Sequence, residues 1–231
     1  MISTRTLPAV TLGLVLSLHG LQGQTPSRYR EFQLGSNVGS VSALIKVAAS
    51  EARTIHHRPA VIQELKWRPP YFVSGSTTPQ TDPVQQIVFS FYDDQLFRML
   101  IDYDPQRTDG MTRGDMIDAI SQAYGTPLPP GPGKAPGAAS PLEIESGTPV
   151  ARWGDAEYAV VLYRSSYASG FRVIVSAPRL EALARTADAQ AVRLDQREAP
   201  QRELARQKQE ADDARARQEK ARVANRAAFR P

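Results

Sequence analysis

Residues 109–127, DGMTRGDMIDAISQAYGTP, decide the fold. Met116, Ile117, Ile120 and Tyr124 recur at the spacing of one helical face. Thr112 stands just ahead of that series, and Asp115 three residues later completes a capping-box pattern, so the chain enters a helix at Thr112. Gly125 suits the helix C-terminus, and Pro127 prevents its continuation.

The same phrase occurs upstream. Leu34-Gly35-Ser36-Asn37 precedes Val38, Val41, Leu44, Ile45 and Ala48, again helical spacing behind a capping residue. Gly35 aligns with Gly110, Asn37 with Thr112, Val41 with Met116 and Ile45 with Ile120, without a gap. Each helix is followed by a Trp beside a basic residue, Leu65-Lys66-Trp67 in one case and Ala151-Arg152-Trp153 in the other. A hairpin follows each. Ile87, Phe89 and Phe91 alternate with Gln86, Val88 and Ser90, Asp93-Asp94-Gln95 turns, and Phe97, Met99, Ile101 and Tyr103 return. In the second copy, 158–163 goes out, Ser165 to Gly170 turns and 171–175 returns. Two loops rich in Pro, Gly, Ser and Thr, 69–83 and 126–149, fall at different places in the two copies, as surface loops can.

The expected fold is therefore α+β: two helix-plus-three-strand units, residues 28–105 and 109–178, forming an antiparallel sheet. One sheet face packs on the helices and the other faces solvent or a partner. Residues 179–231 are rich in Ala, Arg, Gln and Glu and predict a long charged helical tail. Leu180, Leu183, Ala187, Ala191 and Leu194 form a stripe that can dock on the sheet domain, and Pro200 is expected to break or kink the helix. Beyond it the tail is polar all round, which suits a solvated helix or spacer, or an arm that meets a partner, anionic lipid or cell-wall polymer.

The run Gly110-Met111-Thr112, helix, Tyr124-Gly125-Thr126-Pro127 and then strands resembles the BamE/SmpA-like outer-membrane assembly proteins. The tandem arrangement resembles the β-lactamase-inhibitor-protein fold. The resemblance covers 109–178 and, more weakly, 33–103. It implies an envelope location and protein binding through sheet and loops, without catalysis. The chain lacks both the acylated Cys of the lipoprotein members and the disulfides of the inhibitors, so no binding residue carries over.

The N-terminus agrees with an envelope location. Met1 to Thr6 carries Arg5 and no acid, 7–18 is an apolar run, and 19–24 is short and polar. This is the order of a secretory signal over residues 1–23, with a cut expected within 20–24. An apolar core of about a dozen residues falls short of the roughly 20 that span a bilayer. The chain has no Cys, which removes disulfides, thiol nucleophiles and thiolate metal sites. Its 28 Lys and Arg against 24 Asp and Glu do not point to nucleic acid. Localisation is expected to be exported, periplasmic or secreted.

No chemical signature completes itself. His56 and His57 are adjacent and point apart, so a metal site is not expected and a solvated loop before Pro59 is. Asp102, Asp104 and Asp109 fail the calcium-loop pattern, because Arg107 stands where Gly is needed. Asp93 and Asp94 read as turn residues. Gly131-Pro132-Gly133-Lys134 lacks the first Gly of a phosphate loop, and Ala135 replaces its hydroxyl residue. No cofactor is expected.

What remains is binding. Trp67 and Trp153, with Tyr92, Tyr163 and Tyr167, are hot-spot residue types, unless the Trp pair fills the helix–sheet core. Arg98 and Arg172 fall opposite the apolar face in equivalent return strands. The site candidates are thus Trp67, Trp153, Arg98, Arg172 and Tyr167, for another envelope or extracellular protein. Two other functions stay open: a secreted inhibitor of an extracellular enzyme using the turns 93–94 and 165–170, and an enzyme built from scattered carboxylates and Arg.

Overall fold

A computed structural model describes residues 25–70, 82–128, 147–164 and 170–230. The chain is mixed α+β. A small ribbon, β1 (Arg28–Tyr29) and β2 (Phe32–Gln33), leads into α1 (Val38–Ile45). Four strands follow: β3 (Arg53–His56), β4 (Ile62–Trp67), β5 (Val84–Tyr92) and β6 (Gln95–Tyr103). Then come α2 (Arg113–Tyr124), β7 (Thr148–Gly154), β8 (Ala159–Arg164), β9 (Phe171–Ser176) and the long α3 (Pro178–Ala228). Strands β3 to β9 make one antiparallel sheet in the order β3-β4-β5-β6-β9-β8-β7.

Both helices begin where the sequence places them. The Asn37 side chain accepts from the Ser40 amide at 2.7 Å. The Thr112 hydroxyl accepts from the Asp115 amide, and the Asp115 carboxylate accepts from the Thr112 amide at 2.7 Å. The Thr112 amide and then the Thr112 hydroxyl, both donating to it, hold the Asp115 carboxyl below its ordinary pKa. Gly35 and Gly110, the aligned residues ahead of each helix, both adopt positive φ, 88° and 75°. That backbone suits glycine and strains most other residues.

Register makes the likeness of the two units concrete. One row across the sheet reads Trp67, Ile87, Ile101, Val173, Leu162, Ala151. The row beside it reads Leu65, Phe89, Met99, Val175, Val160, Trp153. A two-fold relation through the β6·β9 pairing turns one row into the other: Trp67 falls on Trp153, Ile87 on Val160 and Ile101 on Val175. Both rows point to the face carrying α1 and α2, where they meet Val41, Ile45, Met116 and Ile120 in one core. Each large side chain sealed there contributes roughly 1.5–3 kcal/mol of hydrophobic stabilisation.

Besides the β1–β2 ribbon, the units differ in one strand of the main sheet. The first unit was expected to hold three strands, yet β3 adds a fourth at the sheet edge. His56 therefore lies in a strand and not in a solvated loop. The tail forms the long helix expected of it, unbroken at Pro200. Arg202 donates from beyond Pro200 to the Asp195 side chain at 2.7 Å and to the Asp195 carbonyl at 3.4 Å. The docking stripe uses Ala184, Ala187, Asp188 and Ala191, with Leu183 left exposed.

Candidate functional site

The sheet face opposite α1 and α2, the outer face, is built from the residues between the core rows. Its central row reads Lys66, Val88, Leu100, Ile174, Val161, Arg152. The two-fold relation sends Lys66 to Arg152, Val88 to Val161 and Leu100 to Ile174. The row is apolar in the middle with a cation at either edge. α3 crosses this face on the first unit's side. Ala184 and Ala187 pack with Ala60, Ile62 and Phe97, and Ile55, Tyr92 and Leu180 lie against that cluster. Alanines along the contact let helix and sheet approach closely.

Polar side chains fix this crossing. His56 Nε2 and Asp188 Oδ1 lie 2.8 Å apart, both largely buried, tying β3 to α3. Farther along α3, Glu198 pairs with Arg58 at the sheet edge. A shallow cavity of about 130 Å³ between them is lined by Ile55, His56, His57, Arg58, Ala191 and Asp195. Under the first turns of α3 lies a third cluster. Glu64, Ser90 and Arg98 form one row on the outer face, and all three are buried. Arg98 donates to the Ser90 hydroxyl at 3.3 Å and lies 3.9 Å from Glu181. Burial lowers the Arg98 pKa, while Glu181 and then Glu64 oppose that shift. Burial likewise pushes the Tyr163 phenol up, and Glu181 adds to it.

The second unit's half of the face is less covered. Ile174, Val161, Arg152, Arg172 and Tyr163 are all half-buried. Arg172 Nε donates to Asp102 Oδ1 at 2.6 Å, directly across the β6·β9 pairing. Arg172 and Asp102 border the apolar pair Ile174 and Val161, with Arg152 at the far edge.

The four described residues among the five singled out from sequence are thereby dispersed. Trp153 is 0% exposed and its indole N–H donates to the Ser121 hydroxyl at 3.2 Å and the Gly125 carbonyl at 3.1 Å. It is a core residue that ties α2 to β7, so it cannot anchor a partner in this fold. Trp67 is half-buried on the same inner face, edge-on to Phe32 with ring centroids 6.1 Å apart. Arg98 does share the outer face with Arg172, but it is only 4% exposed beneath α3. Arg172 alone combines the outer face with accessibility. Tyr167 lies outside the described residues. The turn residues are also engaged: Asp93 accepts from the Val61 amide at 2.8 Å and Asp94 from the Val38 amide at 2.9 Å. Asp94 thus braces the first turn of α1 and is not an idle loop tip.

The residues missed from sequence are Val161, Ile174 and Arg152. The signal for Val161 and Ile174 was present in the period-two alternation of β8 and β9, whose inner members are Val160, Leu162, Val173 and Val175, while Arg152 on β7 was noted only as the basic neighbour of Trp153. Comparison with known proteins adds no relative: no family model, curated protein or solved structure matches the chain.

Proposed function

We propose that this is an exported, non-catalytic binding protein of the cell envelope that docks a protein partner on the open half of its outer sheet face. The observation that carries this is the pair Ile174 and Val161, left half-exposed between Arg172 and Arg152 on a face that α3 covers elsewhere. An apolar centre edged by Arg152 on one side and by the Arg172–Asp102 ion pair on the other suits a partner presenting an apolar patch with a polar border. The secretory pattern of residues 1–23 and the resemblance of 109–127 to BamE/SmpA-like proteins support the envelope setting. On this reading α3 acts as a brace that closes the first unit's half and leaves the second as the docking surface.

A photo-crosslinking residue at Ile174 tests the proposal in envelope fractions. It is expected to yield one defined protein adduct, and the same residue at exposed Leu44 on α1 is expected to yield none. Adding Val161→Glu is expected to weaken the adduct at least about tenfold, because it places a carboxylate in the apolar centre. Equal adducts from Ile174 and Leu44, or an adduct indifferent to Val161→Glu, would count against the sheet face. The same fractions read export, with the recovered chain expected to begin within residues 20–24.

A further inference from the structure

We infer that the distal end of α3 docks onto an anionic lipid surface. The first observation is where the charge lies. Residues 214–230 hold six Lys and Arg against one Glu, a net charge of +5. The rest of the chain holds 22 cations and 23 carboxylates, so the basic excess of the whole protein sits in this one segment.

The second observation is how the cations are used. Nearer the domain they are neutralised within the helix: Arg202 pairs with Asp195 and Glu198, and Arg206 with Glu203 and Glu210. Distally, Arg222 pairs with Glu219, and Arg215 lies 3.8 Å from Asp212. Arg217, Lys220, Arg226 and Arg230 form no ion pair among the described residues. Favourable interaction with the helix dipole accounts for a cation in the last turn, but not for Arg217 or Lys220 earlier in the helix.

The third observation separates lipid from a soluble polyanion. Arg215, Arg222, Arg226 and Phe229 follow one another at seven, four and three residues, so they share a helix face. The Phe229 amide still donates to the Asn225 carbonyl at 2.8 Å, which keeps it in the helical path. Phe229 is 76% exposed and nearby Val223 56% exposed. A polyanion offers cations a partner but gives an exposed phenyl ring nowhere to go. A bilayer interface takes both, headgroup phosphates for the arginines and the acyl boundary for the ring. Reach is no obstacle. From residue 199 to 228 nearly every side chain is exposed, and those turns extend about 45 Å.

The test uses the full chain and phosphatidylcholine vesicles with and without phosphatidylglycerol. Binding is expected to depend on phosphatidylglycerol and to weaken with salt. The triple variant Arg215→Gln, Arg222→Gln, Arg226→Gln should lose about 100-fold in affinity, at about fivefold per removed charge. Phe229→Ala should lose about fivefold on vesicles and nothing on soluble poly-aspartate. Binding to vesicles of phosphatidylcholine alone reads the contribution of the apolar run at residues 7–18, which is subtracted before the ratios are taken. Unchanged helicity by circular dichroism assigns any loss to docking. Wild-type vesicle binding by the triple variant would overturn the inference. So would a Phe229→Ala variant that binds vesicles undiminished, which would make the arm a polyanion binder.

Discussion

Trp153→Ala is expected to remove about 3–5 kcal/mol of stability from the sheet domain. Two effects combine. The indole is fully buried in the row Leu65, Phe89, Met99, Val175, Val160, Trp153, so its removal leaves a cavity under α2. Its N–H also bonds Ser121 and Gly125 at the end of that helix, so the Ser121 hydroxyl and the Gly125 carbonyl each lose a donor. A loss of that size approaches the whole stability of a small domain. Trp153→Phe separates the two contributions. It keeps most of the apolar volume and is expected to cost about 1–2 kcal/mol for the missing donor and the smaller ring. Trp67→Ala, at the two-fold-related position, is expected to cost less, about 1–2 kcal/mol, because Trp67 is only half-buried. Urea midpoints at constant slope measure all three. Equal losses at Trp67 and Trp153 would show that the two positions are not packed as described.

Arg98→Ala is expected to cost about 3–5 kcal/mol for a different reason. The guanidinium lies beneath α3 in the row with Glu64 and Ser90 and faces Glu181. Removing it takes a buried cation away from the buried Glu64 side chain, whose Oε1 has no hydrogen-bond partner among the described residues to compensate. Arg98→Met restores the lost volume but not the charge. The double variant Arg98→Met with Glu64→Gln should therefore recover most of the loss, since replacing a buried charge pair together is far less costly than removing one member. Unfolding of the two single variants and the double gives the coupling directly. If Glu64→Gln brings no recovery, Arg98 owes its place to packing alone.

The parts of the fold legible in the sequence were those carried by periodicity and caps. Thr112 with Asp115 marked the start of α2, and alternation across 84–103 marked β5 and β6. The likeness between the units was legible because Gly35 and Gly110 need the same unusual backbone and the two Trp residues fall on related positions. β3 was not legible. Its sequence, Arg-Thr-Ile-His, does not alternate, and as an edge strand it is held by one neighbour and by the bond from His56 to α3. The docked face of α3 was read correctly at Leu180, Ala187 and Ala191 and missed at Leu183, for a related reason. Leucine dominates any hydrophobic stripe, but close contact with a sheet favours alanine, so Ala184 is buried and Leu183 is exposed.

The candidate site was half legible. Arg172 was placed on the correct face by the alternation of β9. Arg98 follows the same rule, and only α3 hides it, a long-range contact that strand periodicity does not contain. Trp153 shows the converse. Its residue type suits a binding hot spot, but register puts it on the inner face, where side-chain size serves packing.

The division of the outer face is the claim on which the proposed docking surface depends, and the absence of cysteine makes it directly measurable. Four single substitutions suffice: Ile174→Cys and Val161→Cys in the open half, Phe97→Cys beneath α3, and Val173→Cys on the inner face. With a maleimide under native conditions, the first two thiols are expected to react at least about 100-fold faster than the last two, whose reaction must wait for local opening. Comparable rates at Ile174 and Val173, or rapid labelling at Phe97, would contradict the account.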